Sequence, residues 1–454
     1  MNTYQDLLEI NKSGVEADRM KFVLAAVSAH KSTSDYATAV AAEEYYREKN
    51  PTIMAYERFV RNSLGKKVKA FWKANHKIAS NWYFYFTTQA VEHLLGNGVQ
   101  FKDKNTKEKL GKNFDQQIQR LATFAKNGSV GFGFFNFDHI DVFSYKEFVP
   151  LYDEEDGALK AGIRFWQIDD TKPFRATLYE IDGVTEYIKR KDEDMQVFKE
   201  KQSYTKRVLT SKATGTEIFD GENYPGFPIV PLYNINKQSD LVGKRNTIDA
   251  YDLIASGLVN NVSEGDLIYW ILKNFGGMDA TDDARFIEQL HLTGVAHVDD
   301  GDEGSEVKSE KIEAPYLSSK ETLLVLRDQL YKDFMGVDVE KLAAGNVTAT
   351  QIRAAYDPLN QKSDLFEACV TEFIHGILEL AGIDDEPHYV RTSVANVSEE
   401  IQTLLTAGQY LDEETIVKRV CALLGMPDEA EVVLKRKSAD DMARFSTVVD
   451  NPVD

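Results

Sequence analysis

The chain has 454 residues, 43% of them hydrophobic, so it can build one very large domain or two to four ordinary ones with real cores. Its formal net charge of -20 excludes a general nucleic-acid coat, which would be basic. Two distant cysteines, Cys369 and Cys421, exclude a disulfide scaffold and a cysteine zinc site and fit a reducing compartment. No apolar run approaches the roughly 18 residues of a membrane helix, and MNTYQDLLEI lacks a signal-peptide pattern, so the chain is expected in a cytoplasm or in a particle assembled from one.

Residues 1–64 read as helices: FVLAAVSA is apolar, and YATAVAAEEYYREKN is rich in helix formers, with Pro51 ending it. A basic run follows at Lys66, Lys67, Lys69, Lys73, His76 and Lys77. It is either a phosphate-facing patch or, as charge runs usually are, the solvated face of a helix, here one whose apolar face holds Val68, Phe71 and Trp72. A helix is expected around Phe114–Lys126, and then Gly128, Gly131 and Gly133 mimic a phosphate loop. Such a loop should open a helix, whereas these glycines enter an alternating aromatic segment, which predicts a tight turn feeding a strand. FVPLYDEEDGALKAGIRFW reads as strand, acidic turn, strand; RATLYEIDGVTEYIKRK reads as a hairpin about Asp182-Gly183.

The segment PIVPLYNIN stops at a polar turn, and a long helix is predicted from Asn246, its cap, to Lys273, about 40 Å at 1.5 Å per residue. Its apolar positions are Ile248, Tyr251, Ala255, Leu258, Val262, Tyr269 and Leu272, with one polar slot; Gly257 and Gly265 inside it suit close approach by another helix. Residues 274–315 are rich in glycine and acids, with a short helix at Asp282–Leu290 and a hairpin of Val295–Val298 with Glu306–Ile312. A second helix covers 316–337, with Ser318 and Glu321 spaced as a capping box. Gly345-Asn346 breaks the chain, Thr348 and Gln351 form another capping box, and the helix Ala349–Leu380 contains Pro358, which should kink it. The extended run HYVRTSV and helices capped at Ser398 and about Asp412 follow, and residues 447–454 read as a disordered tail.

No nucleotide, metalloprotease, nucleophile-elbow or paired-cysteine motif occurs. His291, His297 and Asp299 come nearest to metal spacing but lack a fourth ligand in register. Asp299, Glu303, Gly304 and Glu310 partly match a calcium loop, yet Gly301 stands where a side-chain ligand is needed, so a solvated turn is the better account. No cofactor, metal or catalytic residue is expected.

Asn234, Asn236, Ser239, Asp240 and Leu241, followed by Ile248, Asp249, Tyr251, Asp252 and Ser256, resemble a signature of the portal (head-to-tail connector) proteins of tailed bacteriophages, of the kind found in long-tailed phages of Gram-positive bacteria. AEEYYREKNPTI, HKIASN with LLGNGVQF (Gly98 replacing the family's proline), VPLYD and Gly345–Ala349 resemble further family blocks in the same order. The resemblance implies an α+β portal fold with an α/β wing, a two-helix stem, a small α/β clip, a kinked spine helix with a tunnel loop, and a helical crown. It divides the chain into N-terminal helices and wing (1–235), stem helices (236–273 and 316–337) around the clip (274–315), tunnel loop (338–348), spine helix and return strand (349–393) and crown (394–446).

The resemblance further implies a non-enzymatic ring, a homododecamer in the virion, set in a capsid vertex around double-stranded DNA. Implied partners are further copies, terminase large subunit, head-completion or adaptor protein, major capsid protein and scaffold, with no membrane. An acidic wall would repel phosphates over roughly 8–10 Å and let DNA slide. Lys332 and Lys341 would make the few basic contacts, and Gly345, Asn346, Val347 and Thr348 would form the constriction. Ile248, Tyr251, Ala255, Leu258 and Val262 would pack the stem against its copies and the second helix; Asp282, Asp283, Arg285 and Glu288 would meet clip partners. Two other readings stand beside it: a ring or scaffold without DNA, and an α+β enzyme using acids such as Asp299–Glu303.

Overall fold

The computed structural model describes residues 2–61, 66–69, 74–204, 207–211, 215–219, 223–263, 267–273, 306–312, 316–343, 348–391, 397–408, 410–423 and 429–436. It is a mixed helix-and-sheet protein, consistent with the α+β expectation, and it divides into two compact units. The first comprises Met1–Gly336 and Lys362–Arg391; the second comprises Val337–Gln361 and Thr392–Asp454.

In the first unit, α1 (Tyr4–Ser13) and α2 (Glu16–Lys31) cover a five-stranded antiparallel meander. Its strands are β6 (Phe148–Tyr152), β7 (Leu159–Trp166), β8 (Phe174–Glu180), β9 (Gly183–Lys189) and β10 (Gln196–Gln202), in the order β10-β9-β8-β7-β6. Alternate residues of β7 face inward, and Ala161, Ile163 and Phe165 meet Phe22, Val23 and Ala26 of α2. Both hairpins expected from sequence are present, with Gly162 paired to Pro150 and Gly183 to Glu180.

A second core lies between α7 (Phe114–Gly128), the three-stranded sheet β13-β4-β5 (Ile229–Tyr233, Val130–Asn136 and His139–Ser144) and the later part of a long helix, Ala349–Ala381. Gly133 stands on β4 where a Cβ would meet the Phe373 ring at 2.5 Å. The glycine run therefore ends a helix and feeds a strand, as its aromatic alternation predicts. Gly98 adopts φ +71°, a conformation closed to proline.

Several expectations are corrected. The basic run does not continue a helix: β2 (Lys67–Lys69) pairs with β1 (Phe59–Arg61), and Phe71, Trp72 and Lys73 lie outside the described residues. Pro51 does not end a helix but opens a short one, α4 (Pro51–Met54), after α3 (Ser34–Tyr46) has already stopped, and Asn50 caps it. The single rod from Asn246 to Lys273 is instead α8 (Arg245–Ser263) and a strand, β14 (Leu267–Lys273). LIYWIL is β-branched and aromatic, which favours a strand over the helical period that Tyr269 and Leu272 also satisfy. Its partner is β15 (Glu306–Ile312), the strand expected to form a hairpin with Val295–Val298; Val295–Val298 lie outside the described residues. Asn246 lies within α8 and Ser318 within α9 (Tyr316–Phe334), so neither caps its helix.

The second unit holds the short helix α10 (Val339–Ala343), where only a loop was expected, and the first part of α11 (Ala349–Ala381), which contains Pro358. Thr348 and Gln351 do cap α11 reciprocally, with Thr348 N–H donating to Gln351 Oε1 at 3.1 Å and Gln351 N–H to Thr348 Oγ1 at 3.4 Å. Helices α12 (Val397–Ala407) and α13 (Glu413–Leu423) pack together, and Asp412 caps the latter through Thr415 N–H at 2.9 Å.

Candidate functional site

The conspicuous construction of the first unit surrounds α8. Asp252, Ser256 and Asn260 recur every four residues on its buried face and are at most 6% exposed. Each binds the backbone of the segment before α5 (Trp82–Leu95). Asp252 Oδ1 accepts from Ser80 N–H at 3.1 Å, Ser256 Oγ from Ile78 N–H at 3.0 Å and Asn260 Oδ1 from His76 N–H at 2.6 Å. Asn260 Nδ2 also donates to the His76 carbonyl at 3.3 Å. The match is geometric: four helical residues rise about 6 Å, close to the roughly 6.6 Å of two extended residues. The two chains run in opposite directions, so the helix zips alternate amides of the segment.

Asn50 strengthens the upper end, donating from Nδ2 to Asp249 Oδ1 at 2.9 Å and to Asp252 Oδ2 at 2.7 Å. Burial pushes the Asp252 carboxyl above its ordinary 3.8, against the hydrogen bonds from Ser80 and Asn50 that favour its ionised form. The neighbouring apolar face is aromatic. Trp82 meets Tyr251 of α8 and Tyr331 of α9 edge-on at 5.5 and 5.8 Å, while Phe86 stacks on Phe334 at 4.7 Å.

Just before α8, Asp240 is the hub of a buried charge cluster. Its Oδ2 lies 2.9 Å from Lys362 Nζ and 3.8 Å from Lys126 Nζ, and its Oδ1 accepts from Asn234 Nδ2 at 2.8 Å. Its own N–H donates to the Lys126 carbonyl at 2.8 Å, tying the end of α7 to the entry of α8. Burial would raise the Asp240 carboxyl, but Lys126, Lys362 and Asn234 overcome it and hold the group well below the usual carboxylate range. Burial, only partly offset by Asp240 and assisted by Lys362, brings the Lys126 ammonium down to about 8. Lys126 also lies 3.9 Å from the Phe366 ring centroid.

The sequence-derived positions divide accordingly. Ile248 is fully buried inside the chain with Leu330 and Phe334, so it packs α8 on α9 and cannot face another copy. Tyr251, Ala255 and Leu258 are half-buried, and Val262 is 72% exposed. Leu253 and Val262, nine residues apart, fall about 180° around the helix at 100° per residue, and both are exposed. On α9, Leu324 and Val325 are exposed too. Lys332 is exposed near the end of α9; Lys341 sits on α10, with Asp338 at 3.8 Å. Gly345, Asn346, Val347, Asp282, Asp283, Arg285, Glu288, His291, His297, Asp299 and Glu303 lie outside the described residues. Sequence reasoning missed Ser80, Asn50, Lys126, Asn260 and Lys362. The available signal was the four-residue repeat of small polar residues on an otherwise apolar helix face.

Among the described residues no three acidic, histidine or cysteine side chains converge as metal ligands, and no helix is long and apolar enough to cross a membrane. Residues 26–441 match the family model described as phage portal protein, SPP1 Gp6-like, and the chain belongs to that family. It is 24% identical over 432 residues to the portal protein of Clostridium phage phiCD119, covering 85% of this chain and 88% of that one. It is also 24% identical over 381 residues to the portal protein of Bacillus phage SPP1, covering 76% and 73% respectively.

Proposed function

We propose that this chain closes head to tail with its copies into a ring, twelve-fold in the virion, at one vertex of the capsid. The ring would be the channel through which double-stranded DNA enters during packaging and leaves during ejection. Family membership across residues 26–441 carries this reading. The two exposed flanks of α8 add to it, because a head-to-tail ring needs two different lateral surfaces on each subunit. In this reading α8 and α9 are the stem, the five-stranded meander belongs to the wing, β14 and β15 to the clip, α11 is the spine, and α12 with α13 belongs to the crown.

The ring acts mechanically. Energy would come from a terminase large subunit docking on the clip, where a head-completion or adaptor protein would follow; the major capsid protein and scaffold would hold the outer rim. The net charge of -20 keeps the wall from gripping the polymer. Lys332 and Lys341 supply its sparse basic contacts, and residues 338–348 supply the constriction.

Electron microscopy of the purified chain is the test. Rings of about twelve subunits with an open centre wide enough for duplex DNA are expected, and a compact dimer or tetramer without a channel would refute the reading. For the DNA contacts, a Lys332→Glu/Lys341→Glu variant is expected to package less DNA; normal packaging would remove those two lysines from the channel.

A further inference from the structure

A cleft of about 440 Å³ opens in the first unit between α2 and the turns that follow β7 and β9. Five cations line it, Lys31, Lys172, Lys189, Arg190 and Lys191, against two carboxylates, Asp170 and Asp192. In a chain of net charge -20 this is a local reversal of sign. Arg190 is engaged with Glu193 at 3.5 Å. Among the described residues, none of Lys31, Lys172, Lys189 or Lys191 makes an ion pair; Lys31 instead lies over the Phe165 ring at 5.1 Å. Four lysines outside any ion pair therefore stand around one concavity, and the two carboxylates in its lining leave it an excess of positive charge. The floor is apolar, formed by Leu24, Val27 and Phe174, and Ile168, in the turn beside the lining residue Gln167, is 81% exposed.

We propose that this cleft docks an acidic peptide segment of a partner protein. One apolar side chain of the peptide rests on Leu24, Val27 and Phe174, and its flanking carboxylates meet the four lysines. The apolar floor decides between anions: a nucleic-acid backbone meets the cations but has nothing to cover Leu24 and Phe174, whereas an amphipathic acidic peptide satisfies both. A site this small and this charged derives its strength from desolvating the apolar anchor and its selectivity from the lysines. The inference is independent of ring formation, because every lining residue belongs to one unit of one chain.

The test uses the full-length protein and a fluorescein-labelled synthetic peptide of glutamates with a single central leucine, read by anisotropy at 50 mM salt. Saturable binding is expected. The Lys31→Gln/Lys172→Gln/Lys189→Gln/Lys191→Gln variant should bind at least tenfold more weakly, and a peptide with serine for the leucine severalfold more weakly. These lysines are exposed or half-exposed, so circular dichroism should match the parent. Absence of saturable binding, or equal binding by the variant, overturns the proposal. Tighter lysine-dependent binding of a DNA oligonucleotide of equal charge overturns it too, and makes the cleft a phosphate site.

Discussion

Replacing Asp240 with asparagine keeps the side chain's shape and removes its charge. The oxygen that accepts from Asn234 Nδ2 at 2.8 Å can be retained, but an amide NH2 then faces Lys362 Nζ, where a carboxylate oxygen stood at 2.9 Å. Lys362 and Lys126 are left without a counter-charge at 8% and 1% exposure. Stranding a buried charge costs about 3–5 kcal/mol, a large part of the roughly 5–15 kcal/mol that holds a typical protein folded. The assay is the urea-unfolding midpoint followed by tryptophan fluorescence, since Trp82 packs on both α8 and α9. The pH dependence distinguishes this cause from a lost hydrogen bond. Burial brings Lys126 down to about 8 in the parent, below its ordinary 10.5, and the variant removes the attraction of Asp240 that opposes this, so its pKa falls further. A lysine depressed in the folded state binds fewer protons there than when unfolded, so stability rises as pH climbs toward 10.5. The defect should therefore shrink between pH 7 and pH 10. Asp240 itself has the opposite sense: depressed below the carboxylate range, it stabilises the parent above pH about 4 and is lost on acidification, a loss the variant cannot show. Lys126→Met should cost under about 1.5 kcal/mol, because Asp240 keeps Lys362. An Asp240→Asn variant within about 0.5 kcal/mol of the parent, or a defect equal at both pH values, would refute the reasoning.

Ser256→Ala leaves the Ile78 amide without its acceptor and should lower stability by about 1–3 kcal/mol, read by the same unfolding midpoint. Gly162→Ala would drive a Cβ to 2.0 Å from the Phe148 ring, which is fully buried and cannot yield; a loss of about 1–3 kcal/mol is expected, with the meander's amides exchanging faster with solvent. Asp252 is raised by burial, so its ionisation weakens the fold as pH rises through its titration, and Asp252→Asn should flatten that part of the stability–pH curve. Leu253→Glu or Val262→Glu should abolish ring assembly, measured by size-exclusion chromatography, while leaving subunit circular dichroism unchanged.

The meander was legible in the sequence because its turns carry their own chemistry: an acidic stretch after Tyr152, and Asp182-Gly183 between two alternating segments. The caps at Thr348 and Asp412 were legible for the same local reason. What escaped depends on distant residues. LIYWIL satisfies two periods at once, and only β15, beyond the acidic stretch, selects the strand. The helix period of α8 showed where an apolar face lay but not that Asp252, Ser256 and Asn260 occupy its centre, because their partners lie more than 170 residues earlier. Lys126 and Lys362 look like any helix lysines until Asp240 is placed between them.

That separation has a consequence for biosynthesis. His76 and Asn260 are 184 residues apart, and at translation rates of about 5–20 residues per second the first waits roughly 10–40 s for the second. Throughout that interval the amides of His76, Ile78 and Ser80 have no helix to bind, and Trp82 and Phe86 stand beside them without Tyr331 and Phe334. The nascent chain thus carries a sticky, half-made surface for much of its synthesis, and incomplete chains will be the ones that aggregate or engage chaperones.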